Sequence, residues 1–69
     1  MSEIIFLVED ALEGGFSARA LNYSIFTDGQ TMQEVKDNIQ DAVKCHFDNE
    51  ELPKMVRLHF VRDEVYELV

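Results

Sequence analysis

Basic residues are scarce in this chain. Six lysines and arginines stand against fourteen acids among 69 residues, a formal net charge of −8 and a sequence pI near 4.4. A field of that sign repels phosphate backbones, so DNA or RNA is not expected as a direct ligand. Charge complementarity points instead to a basic protein surface, although the same charge also serves solubility. Cysteine is nearly absent: Cys45 stands alone, which excludes an intramolecular disulfide and suits a reducing compartment. No apolar run approaches the roughly 18 residues of a membrane span, and Met1-Ser2-Glu3 lacks the basic start of a signal peptide. A cytoplasmic protein is the expectation.

Motifs for common chemistry are missing as well. There is no Gly-x-Gly-x-x-Gly, no phosphate-binding loop, no paired Cys/His metal spacing and no aromatic-basic face for single strands. No cofactor is expected. The 46% apolar content nevertheless fits a globular domain. At this length one core is possible, and such a chain buries only about 60% of its unfolded surface. Without a staple, a second copy or a bound partner is the expected source of further burial.

Residues 3–9 form an apolar run of strand length with Ile4, Phe6 and Val8 on one face and Ile5 and Leu7 on the other. Both faces are greasy, as a central strand requires. Residues 11–15 supply a turn through Gly14 and Gly15. Residues 16–21 alternate as a second strand, and residues 25–27 make a short third strand that Asp28-Gly29 should break. Thr31-Met32-Gln33-Glu34 reads as a capping box, the Thr hydroxyl accepting from the Glu34 N–H and the Glu34 carboxylate from the Thr31 N–H. The helix it opens should end near Phe47, with Val35, Ile39, Ala42, Val43 and His46 as its buried stripe and Lys36, Asp37, Gln40, Asp41 and Lys44 outside.

A polar connector, residues 48–53, leads to a last strand over residues 55–62, and the tail 63–69 can extend it, fold back or dock on a neighbour. The predicted fold is α+β: β-β-β-α-β, a mixed sheet of order 3-2-1-4 with one helix on one face.

The segments Gly14-Gly15-Phe16-Ser17-Ala18, Asp28-Gly29-Gln30-Thr31-Met32-Gln33-Glu34-Val35 and Asn38-Ile39-Gln40-Asp41-Ala42 together resemble the N-terminal domain of HicB-type antitoxins. That family carries a glycine turn, an aromatic strand, Gly-x-Thr-x-x-Glu-Ala and a helix of the form Asn-Ile-x-x-Ala. The resemblance implies a partial ribonuclease-H-like unit that binds a small basic HicA-like toxin. It also implies one HicB-like domain over residues 1–69 without the DNA-binding segment of longer members. Leu21-Asn22-Tyr23 stands where the family often has Leu-Pro-Gly.

Candidate chemistry is limited. If the first and last strands are parallel neighbours, Glu9, Asp10, Asp63 and Glu64 share a sheet edge near Glu34, a placement suggestive of a metal-dependent nuclease. The alternatives are that these acids only solubilise strand ends and that the domain is an orphan structural module. Cys45 and His46 diverge by about 100° around a helix and cannot form a nucleophile-base pair. The non-enzymatic reading centres on the outer sheet face, where Ile5, Leu7, Leu21, His59 and Tyr66, edged by Arg19 and Arg57, are the expected partner or dimer interface, because one helix cannot cover both faces of a sheet.

Overall fold

A computed structural model describes residues 3–48 and 51–69. In chain order the elements are β1 (Glu3–Asp10), β2 (Phe16–Ala20), β3 (Phe26–Gly29), α1 (Met32–His46) and β4 (Met55–Val61). They form the expected α+β fold, a four-stranded sheet of order β3-β2-β1-β4 with the helix on one face. β1 pairs antiparallel with β2 and parallel with β4, so Phe6 lies opposite Ala20 and Leu58. Asn49 and Glu50 of the expected connector, and Met1 and Ser2 before β1, lie outside the described residues.

The central position of β1 follows from its doubly apolar sequence. Ile4, Phe6 and Val8 are buried beneath the helix, while Ile5 and Leu7 on the other face are half-buried. The β1–β2 turn closes through Ala11 N–H to the Gly15 carbonyl at 3.0 Å and Gly14 N–H to the Ala11 carbonyl at 3.1 Å. Gly14 and Gly15 take φ of 101° and 77°, a region that costs glycine little. A Cβ on Gly15 would also stand 2.6 Å from the Gly29 carbonyl oxygen.

Third-strand limits differ from those expected. Asp28 and Gly29 do not break β3 but complete it, Gly29 pairing opposite Phe16, and Ile25 precedes it as a buried core residue. The reason is packing: a Cβ on Gly29 would meet the Val35 backbone nitrogen at 2.8 Å, so glycine lets the helix settle directly on β3. At the helix start, Thr31 Oγ1 accepts from the Glu34 N–H at 3.1 Å as expected. The return bond is shifted by one residue, since Glu34 Oε1 accepts from the Gln30 N–H at 3.2 Å.

His46 is exposed and not part of the buried stripe. The buried row is Val35, Ile39, Val43 and Phe47, in steps of four that slant around the helix to follow the twisted sheet. Phe47 takes the last place, and its ring meets Tyr23 edge-on with centroids 5.1 Å apart. His46 rests at the margin, 5.6 Å from Tyr23 and 4.9 Å from Phe47 between ring centroids. The helix packs over β3 and β2. On β4 only Leu58 joins the core, leaving Val56 and Phe60 about 40% exposed on the same side. β4 stops at Val61, and residues 62–69 run on without regular structure, exposed throughout. Among the described residues no helix is long and apolar enough to cross a membrane.

Candidate functional site

Register assigns the outer face of the sheet residue by residue. Leu7 lies opposite Arg19 on one side and His59 on the other, Ile5 lies opposite Arg57, and the Leu21 N–H donates to the Ile5 carbonyl at 3.0 Å. Six of the seven residues expected in the interface, Ile5, Leu7, Arg19, Leu21, Arg57 and His59, thus share one face. Tyr66 does not join them: it sits in the tail past β4, 79% exposed. Phe26 was not anticipated there. It pairs opposite Arg19 and is 73% exposed, and the alternation of β2 and β3 across their register was the signal that places it. Met55, opposite Glu3, extends the apolar surface at the other corner. No described element packs on this face.

Its charges comprise one ion pair, one arginine outside it and a group of acids at one end. The Arg57 guanidinium binds the Glu3 carboxylate through two contacts, the second at 3.4 Å. This hydrogen bond and the attraction that accompanies it hold the Glu3 carboxyl below the usual range and raise Arg57. Arg19 has no ion-pair partner among the described residues. Ser17 lies between Glu9 and Asp28 in the register, so the face becomes acidic toward the β1–β2 turn.

At that end the strand termini meet as expected, Glu9 lying opposite Val61 of the parallel neighbour. A groove of about 500 Å³ is lined there by Glu9, Asp10, Val61 and Asp63, and another of about 420 Å³ by Glu13, Asp28 and Glu34. Two of these carboxylates are engaged separately. Asp10 accepts two hydrogen bonds from Arg62, at 2.7 and 3.2 Å, which lowers its pKa, and Glu34 caps the helix. Among the described residues no group of three His, Cys, Asp or Glu side chains is placed to hold a metal ion. Cys45 and His46 are both exposed on the helix, and His46 faces aromatic rings.

An uncovered, partly apolar sheet face with Ile5 and Leu7 at its centre, an exposed Phe26 on its edge strand and an acidic margin has the mixed apolar and charged make-up of protein interfaces. Comparison with known proteins adds kinship. Over 61 residues the chain is 48% identical to a UPF0150 protein of Thermotoga maritima, covering 88% of this chain and 86% of that one. Over 52 residues it is also 48% identical to a UPF0150 protein of Archaeoglobus fulgidus, covering 75% and 77% respectively. No family model and no solved structure matches the chain.

Proposed function

The chain belongs to the UPF0150 family, and within that family we propose that it is a non-enzymatic, HicB-like interaction domain of the cytoplasm that binds a small basic protein, such as a HicA-like toxin. The observation that carries this reading is the outer sheet face, where Phe26 stands 73% exposed beside Arg19 with Leu7 and Ile5 behind it. A solvent-facing phenylalanine on an otherwise ordered sheet gains most by entering a partner's pocket. The net charge of −8 selects the sign of that partner, and Glu9 and Asp28 present acids along the margin. Electrostatic attraction speeds the encounter, while the apolar centre supplies the lasting contact.

Calorimetric titration with a purified HicA-like protein tests the reading. Binding is expected, and Phe26→Asp should weaken it by roughly tenfold or more, the cost of removing one exposed aromatic anchor. Equal binding by Phe26→Asp, or no binding by the unaltered chain, defeats the proposal. Circular dichroism of the variant separates loss of binding from loss of fold.

A further inference from the structure

β4 ends the sheet on one side. It hydrogen-bonds to β1 and has no neighbour on its other edge among the described residues. Seven residues long against four in β3, it is the longer of the two edges. An unpaired strand of that length offers a row of free N–H and C=O groups, which natural sheets blunt with proline, inward charge or a covering segment. β4 has no proline, and Arg57, its one charged residue, faces the outer side and is bound to Glu3. On the helix side, Val56 and Leu58 border an open cleft of about 200 Å³ against Lys36, Ile39 and Gln40.

Residues 62–69 follow directly. Tyr66 and Leu68 are 79% and 90% exposed, and the molecule is 56 Å long but only 19 and 18 Å across. An eight-residue extended segment spans roughly 26–29 Å, which accounts for about half that length. The tail does not fold back on its own strand: residues 62–69 take no strand pairing and stay exposed. Charge divides the two segments sharply. From Leu52 to Arg62 there are three bases, Lys54, Arg57 and Arg62, and no acid; from Asp63 onward there are three acids, Asp63, Glu64 and Glu67, and no base.

We propose that residues 63–69 of one copy pair antiparallel with the free β4 edge of a second copy, reciprocally about a two-fold axis near Arg62. Such an exchange leaves both copies with the same contacts, the closed symmetry usual for dimers. Because side chains alternate along a strand, Tyr66 and Leu68 then fall on the side of Val56, Leu58 and Phe60, closing the open cleft. Val65 and Glu67 fall on the side of Arg57 and His59, setting acid against base. At the crossing, each Arg62 is already balanced by its own Asp10. The pairing covers together Val56 and Phe60 of β4 and Tyr66 and Leu68 of the tail, all exposed in the single copy.

Sedimentation equilibrium of the whole chain tests it. A dimer is expected, and Tyr66→Ser/Leu68→Ser, at positions exposed in the single copy, should raise its Kd roughly tenfold or more through the lost cross-strand pairs. Phe26→Ser, on the outer face, should leave that Kd unchanged. A monomer at all concentrations, or a dimer indifferent to the Tyr66 and Leu68 changes, overturns the proposal. In a Cys45→Ser background, Val56→Cys with Leu68→Cys should oxidise to a covalent dimer; a disulfide closed within one chain overturns it as well.

Discussion

Phe6 and Phe26 stand on opposite sides of the same sheet, and solvent reaches none of the first but 73% of the second. On the helix side, Phe6, Val8, Val35 and Ile39 are fully buried in one apolar cluster. On the other side Ile5 and Leu7 are screened by their strand neighbours, and no described element lies above them. The helix supplies the difference, and Gly15 and Gly29 let it: both keep Cβ atoms out of a gap in which turn, strand and helix backbones nearly touch. One side of the sheet therefore carries most of the buried core, and the other keeps Phe26 in solvent.

The largest effect should come from removing the core aromatic. Phe6→Ala is expected to cost about 3–5 kcal/mol, comparable with the whole margin of a domain of this size at roughly 0.05–0.15 kcal/mol per residue, so urea titration should find the variant largely unfolded. Phe26→Ala should change stability by less than about 0.5 kcal/mol. Similar costs at the two positions would erase the contrast between the faces.

Gly15→Ala comes next. Its positive φ and the approach to the Gly29 carbonyl predict a loss of about 1–3 kcal/mol, readable as a lower urea midpoint with unchanged slope. Gly14, at φ 101° with open space around it, should tolerate alanine better than Gly15, paying only for the backbone.

Thr31→Ala removes the hydroxyl that caps Glu34 and should cost about 1 kcal/mol. Thr31→Ser should recover most of that loss in the same thermal melts.

The smallest effect is electrostatic. Glu3 and Asp10 have folded pKa values held below their ordinary ones, first by hydrogen bonds from Arg57 and Arg62. A lowered carboxylate pKa stabilises the fold above the unfolded value, near pH 4, and that contribution disappears as pH falls through the folded values. Both pairs are exposed, so salt should weaken them. Compared with the unaltered chain, Glu3→Gln/Asp10→Asn should melt slightly lower at pH 7 and equally at pH 2; a gap that persists in acid assigns those residues another role.

Much of this was readable in the order of residues. The apolar run on both faces of residues 4–8 marked a central strand, and that strand's place decided the order 3-2-1-4. Thr31 and Glu34 marked the helix start, although the return bond reached Gln30. His46 was misassigned because periodicity locates a stripe but not its slant, and the slant depends on the sheet below. Phe26 escaped notice as an outer-face anchor because residues 25–27 were read as a strand with no register. Once Phe26 is known to oppose Arg19, its side follows.

Local preferences are set by each residue's own geometry and by neighbours three or four positions away, and so the sequence by itself determined the elements, their turns, the burial of one face of β1 and the charge of the surface. Where the helix rests across the sheet is a different kind of quantity. It depends on backbones meeting at Gly29 and Val35 and on the twist accumulated over four strands. Only the tertiary structure decided that the helix covers β2 and β3, that Val56 and Phe60 remain half-exposed, and that Phe26 faces solvent, because each is a consequence of distances between segments that no local pattern encodes.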